Sequence, residues 1–161
     1  MTEAKAYYAG GCFWGVEHLF QGKPGVLSAV SGYMGGPVNN PTYQEVGTGM
    51  TGHLEAVEVT YDSELVNFEE LTKFFFEIHD PTQANGQGPD IGPQYLSAIF
   101  YSSEEEKDIT LDLIDQLKEK GYDVVTKMLP QVTFWKAEDY HQDYYVKKSQ
   151  QPYCHVYQKK F

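Results

Sequence analysis

The 161-residue chain contains no arginine: all 12 of its basic residues are lysines, against 23 acidic residues, for a net charge of -11. Arginine's planar fork is the usual means of gripping phosphates and base edges, and a strongly acidic surface repels polyanions. Neither nucleic acid nor an anionic membrane is therefore expected as a partner. No apolar run approaches the ~20 residues needed to span a bilayer, and "MTEAKAYYAGG" lacks the apolar stretch of a signal peptide. The expectation is a cytoplasmic protein. Cysteine is scarce too, at Cys12 and Cys154 alone. In a reducing compartment such a pair points to redox or catalytic use rather than a permanent staple. Repeats, linkers and low-complexity segments are missing, so one catalytic domain over residues 1–161 is expected; a monomer is expected as well.

What is present reads as alternating elements. Residues 5–11, "KAYYAGG", form a short strand ending in glycines, followed by a helix over 13–21 with Val16, Leu19 and Phe20 on one face. Strands follow at 26–33 and 53–62, the latter alternating Val57, Val59 and Tyr61. Asn67 with Glu70, and Ser103 with Glu106, are capping-box starts of two further helices, the second stopped by Gly121. Strands at 96–102 and 123–129 complete the set. This order predicts an α/β (α+β) two-layer sandwich with a split βαβ, ferredoxin-like core and a mixed sheet. Two stretches break the pattern: the Gly- and Pro-rich loop 79–95 and a tyrosine-rich tail from about residue 130 that carries Cys154. Long irregular loops on a compact domain are either functional or disordered. Asp80, Asp90 and Tyr95 favour function for the first.

The segment "AGGCFWG", residues 9–15, sets Cys12 between glycines and large aromatics. If a strand ends at Gly10-Gly11 and a helix begins after Cys12, its sulfur sits beside the N–H groups of a helix N-terminus. That setting stabilises a thiolate and can bring a thiol pKa from ~8.5 into the range ~3.5–7.5. Phe13 and Trp14 then offer an apolar wall for a small hydrophobic group. Spacing alone leaves open a Cys12 that only packs beneath the helix. Glu55 shares strand parity with Val57, Val59 and Tyr61, so its carboxyl points inward and its pKa should rise toward that of a proton donor. The alternative is an exposed strand end. Glu58, of opposite parity, reads as surface.

Seven blocks in unbroken order resemble the peptide methionine sulfoxide reductase A family: "GCFWG", "GY-x-GG" at 32–36, "NPTYQEV" at 40–46, "TGHLEAVEVTYD" at 51–62, "HDPTQ" at 79–83, "D-x-G-x-QY" at 90–95 and "AEDYHQDYY" at 137–145. The resemblance implies that Cys12 is the nucleophile, that Phe13 and Trp14 hold the sulfoxide methyl group, and that Glu55 protonates the sulfoxide oxygen. It further implies that Tyr43 and Tyr95 hydrogen-bond that oxygen, that Asp90 positions the substrate, and that Cys154 recycles Cys12 through a disulfide. The substrate implied is the S epimer of methionine sulfoxide, free or in proteins. No cofactor or metal is implied, only an external dithiol reductant such as thioredoxin.

This chain departs from the family pattern at Met34, where a small residue is usual, and at Leu96, where arginine is common. Gly47 stands where some members have cysteine, and the tail "QQPYCHVY" lacks the glycine-rich, two-cysteine ending of others. Three other readings remain. A zinc enzyme could draw on His53, Glu55, His79, His141, Cys154 and His155, but neither a C-x-x-C nor an HExxH accompanies them. A cysteine hydrolase would pair Cys12 with His53. A non-catalytic module would bind methionine through its aromatics.

Overall fold

The computed structural model describes residues 2–148 and 155–161. Among the described residues eight strands run β1 (Glu3–Gly10), β2 (Val26–Met34), β3 (Leu54–Asp62), β4 (Gly86–Gln87), β5 (Asp90–Ile91), β6 (Ser97–Tyr101), β7 (Lys127–Pro130) and β8 (Phe134–Lys136). The α-helices are α1 (Phe13–Gln21), α2 (Tyr43–Gly47), α3 (Phe68–Ile78), α4 (Glu104–Glu119) and α5 (Tyr144–Lys148). Six strands form one sheet in the order β7-β6-β1-β3-β2-β8, and β4 pairs with β5 as a separate ribbon. The inner four are antiparallel throughout. Unit β1-α1-β2 thus brackets β3, and unit β3-α3-β6 brackets β1, which is the expected ferredoxin-like core of two split βαβ units. Strand β7 joins β6 in parallel and makes the sheet mixed.

The pleat divides the interior. Tyr8, Val57, Val59 and Ile99 face the helices and pack with Phe13, Val16, Phe20, Leu71, Phe75, Leu113 and Leu117. A smaller cluster on the other face holds Tyr7, Ala9, Ala56, Ala98, Phe100 and Met34. Met34 is wholly buried there, in register with Leu54 and Phe134, so the pattern-breaking side chain fills the far face of the sheet.

Several expectations shift. Only Lys127–Pro130 of the 123–129 stretch pairs as a strand, because the Val125 N–H is given to the Pro81 carbonyl at 2.8 Å instead of to the sheet. Helices α3 and α4 are N-capped by Asn67 and Ser103, but the Glu106 carboxylate reaches back to Ser102 rather than to Ser103. The complete capping box is Thr42 with Glu45, starting the short α2 that periodicity did not reveal. On α1, Leu19 is only half-buried, while Glu17 joins Phe13, Val16 and Phe20 on the inner stripe. The tail is more regular than its composition suggests: β8 extends the sheet along β2, and α5 lies against α1.

Candidate active site

The turn from β1 to α1 is squeezed from two sides. A Cβ on Gly10 would come 2.9 Å from Phe75 Cε1 of α3, and one on Gly11 would collide with the Gln87 side chain. Gly11 also takes φ +95, a conformation that side chains disfavour. The two glycines therefore let the strand end tightly enough to leave Cys12 as the N-cap of α1, 7% exposed, at the positive end of the helix dipole.

Glu55 lies across from this turn on β3, and only 2% of it is exposed. The first N–H of α1, from Phe13, donates to its Oε1 at 3.2 Å. That bond ties the carboxyl to the residue next to Cys12 and leaves Oε2 to carry a proton. Burial pushes the Glu55 pKa up to about 8; the Phe13 N–H opposes the rise and the Asp90 charge adds to it.

The two phenols are held by different elements. Tyr43 opens α2, and its N–H donates to Glu138 Oε2 at 3.1 Å. Its ring lies nearly parallel to Phe13 and Trp14, 6.2 Å from each. Tyr95 closes the 3-10 turn Pro93–Tyr95. Burial raises the Tyr43 pKa to about 12, and negative charge on Glu55, Cys12 and Asp90 adds to it. Burial raises Tyr95 as well, with the same three residues and Tyr43 contributing. Both phenols therefore stay protonated donors at neutral pH. Loop 79–95 is brought over the turn by Gln87, whose amide accepts from Asp80 N at 2.7 Å and donates to Asp80 O at 2.9 Å. Half-buried Asp90 sits on β5 in that loop. Cys12, Phe13, Trp14, Tyr43, Glu55, Asp90 and Tyr95, drawn from four separate chain segments, thus lie together.

The model of the peptide methionine sulfoxide reductase family matches residues 4–161. The chain belongs to this family. Among curated relatives, the peptide methionine sulfoxide reductase MsrA of Nautilia profundicola is 49% identical over 150 residues, covering 93% of this chain and 87% of that one. Among solved structures, reduced Mxr1 from Saccharomyces cerevisiae superposes with a TM-score of 0.89 at 33% identity, over 97% of this chain and 92% of that one. Methionine sulfoxide reductase A of Corynebacterium diphtheriae gives 0.83 at 38% identity, over 91% of this chain and 76% of that one. The protein is thus a peptide methionine sulfoxide reductase, an enzyme that reduces methionine sulfoxide by thiol chemistry.

The reductase fold answers the rival pairing of Cys12 with His53. His53 accepts from Gly36 N at 3.1 Å and contacts the Val38 carbonyl at 2.6 Å, so both ring nitrogens serve the loop after β2. Among the described residues no group of three or more His, Cys, Asp or Glu could hold a metal ion. Cys154 lies outside the described residues.

Three residues around the site were given no place in it from the sequence, although His141 was weighed as a zinc ligand. His141 accepts from the Trp14 indole at 3.0 Å and packs on Tyr43 with centroids 4.2 Å apart. Tyr144 stacks on Trp14, 3.8 Å between centroids. Glu138 accepts from the Tyr33 hydroxyl at 2.8 Å as well as from Tyr43 N. All three belong to the block at 137–145, whose density of aromatics in a stretch without periodicity was the available signal.

Proposed function

We propose that the enzyme reduces the S epimer of methionine sulfoxide, with Cys12 as nucleophile and Glu55 as acid. The Cys12 thiolate attacks the sulfoxide sulfur while Glu55 gives its proton to the sulfoxide oxygen. The S–O bond to methionine breaks, the hydroxyl passes to Cys12 as a sulfenic acid, and methionine leaves; the substrate sulfur is reduced by two electrons and the cysteine oxidised by two. A sulfoxide oxygen is a poor leaving group until protonated, so an acid and phenol donors at that atom are what the step requires. Tyr43 and Tyr95 donate to the oxygen, Phe13 and Trp14 enclose the methyl group, and Asp90 orients the substrate.

Cys154 then attacks the sulfenic sulfur, water leaves, and a Cys12–Cys154 disulfide remains. A dithiol reductant of thioredoxin type restores both thiols; Mxr1 has been solved in complex with Trx2. The reading includes a single-domain monomer working in the cytoplasm, where reduced dithiols are supplied.

The observation that carries this reading is the Phe13 N–H bond to Glu55, which couples a buried, protonatable carboxyl to the turn of the nucleophile. The test is one turnover without reductant, using separate sulfoxide epimers. Wild type should convert about one equivalent of the S epimer and end two hydrogens lighter by mass. Cys154→Ser should also convert about one equivalent but end as an oxygen adduct. Conversion of the R epimer alone, or a wild type that ends as the sulfenic acid, would contradict the corresponding part.

A further inference from the structure

After Lys148 the described chain resumes at His155, and its imidazole is buried against the turn that carries Cys12. Nε2 lies 2.6 Å from the Gly10 carbonyl oxygen. A carbonyl only accepts, so Nε2 carries the proton and Nδ1 is the bare nitrogen. Nδ1 is buried without a hydrogen-bond partner among the described residues. It faces Gly15, on the first turn of α1, where any added Cβ would run into the ring. A Cβ on Gly11 would lie 3.5 Å from Nε2. Gly11 and Gly15 leave room for the imidazole, and Gly10 offers its carbonyl, so the backbone that presents Cys12 forms a socket for the ring.

A carbon side chain could fill this socket without stranding a buried nitrogen, so simple packing does not account for an imidazole here. What the ring supplies is one directed hydrogen bond to the last residue of β1. Burial lowers the His155 pKa, which keeps the ring neutral and suited to this bond.

We propose that His155 is a positioning residue of the recycling step: its bond to Gly10, in the space left by Gly11 and Gly15, pins the tail beside the nucleophile's turn. The inference rests on the reading that Cys154 resolves the sulfenic acid. Cys154 precedes His155 by one peptide bond, and consecutive Cα atoms are about 3.8 Å apart. A fixed His155 therefore limits the volume the second thiol must search, which raises its effective concentration at Cys12.

The test separates the two chemical steps in the full chain. Reduced wild type, His155→Ala, His155→Gln and Gly15→Ala are mixed with one equivalent of methyl sulfoxide substrate. Methionine release, thiol loss and dimedone-trappable sulfenic acid are followed over time. His155→Ala should release methionine within about threefold of the wild-type rate but close the disulfide at least tenfold more slowly, with sulfenic acid accumulating. His155→Gln keeps a donor for Gly10 and should recover most of the closing rate. Gly15→Ala favours the helix but fills the socket, so it should reproduce the slow closure with His155 still present. Closure at the wild-type rate in both His155→Ala and Gly15→Ala would overturn the proposal, as would equal slowing of methionine release and closure. His155→Gln closing as slowly as His155→Ala would overturn the hydrogen bond as the pin. A wild type that forms no disulfide would instead refute the resolving role of Cys154, and the pin with it.

Discussion

Two buried carboxylates flank helix α1, and they are satisfied very differently. Glu17, 1% exposed, accepts from Ser31 N at 3.1 Å, Ser31 Oγ at 2.9 Å and Asp143 N at 2.6 Å. It binds α1 to β2 and to the chain entering α5. Glu55, 2% exposed, receives the Phe13 N–H alone among the described residues. Burial raises both, Glu17 to about 7 and Glu55 to about 8, but three donors oppose the rise at Glu17 and one does so at Glu55. The carboxylate saturated with donors is a structural clamp. The one left short of them keeps an oxygen for the proton transfer proposed above, at a cost in stability that active sites commonly carry.

The largest effect expected is at the thiol that Glu55 serves: Cys12→Ser should show no measurable sulfoxide reduction while keeping its thermal transition. Turnover in that variant would remove the reason for an acid beside it. Next, Glu55→Gln should lower the single-turnover rate by roughly one to three orders of magnitude, since a neutral donor remains in place. The same change should stabilise the fold at high pH. The Glu55 pKa is raised on folding, so its folded state holds the proton between the unfolded value of ~4.3 and about 8, and stability falls as pH rises through that window. Glu55→Gln should therefore melt above wild type at pH 9 and close to it at pH 5. Glu17→Gln should instead lose stability through its hydrogen bonds: an amide cannot accept from all three donors, and a loss of about 1–3 kcal/mol is expected in urea unfolding at pH 5, below the raised pKa of about 7, with activity nearly unchanged in the folded protein. Equal responses at the two positions would dissolve the contrast. The smallest effect concerns the wall of the site. Trp14→Phe keeps an apolar ring but loses the bond to His141, and should raise KM roughly 2–10-fold with kcat nearly constant.

The difference between the carboxylates also marks what the sequence made legible. Glu55 could be found by strand parity, because inward direction on β3 follows from Val57, Val59 and Tyr61 alone. Cys12 could be placed at a helix start because Gly10-Gly11 precedes it. Glu17 was within reach of the same logic, as it shares the α1 stripe with Phe13, Val16 and Phe20. Yet a carboxylate on an apolar stripe contradicts the pattern that identifies the stripe, and its donors at Ser31 and Asp143 are distant in sequence. His141 and Tyr144 were hidden for a similar reason. Their partner, Trp14, lies at the other end of the chain, and neither the 3-10 turn Asp139–His141 nor the five-residue helix α5 has a period long enough to fix a face. The four central strands and three longer helices carried their own local signals, whereas β8 forms only because β2 offers an edge.

The central claim is that the carboxyl left with one donor delivers the proton. The direct measurement is the pH dependence of the single-turnover rate, followed as methionine release, in wild type and Glu55→Gln. Glu55 is protonated below about 8 and loses its proton above it. The wild-type rate should fall as pH rises through about 8, and this falling limb should be missing from Glu55→Gln, whose slower rate stays level there. The same falling limb in both proteins would show that another group supplies the proton, and the account of Glu55 would be wrong.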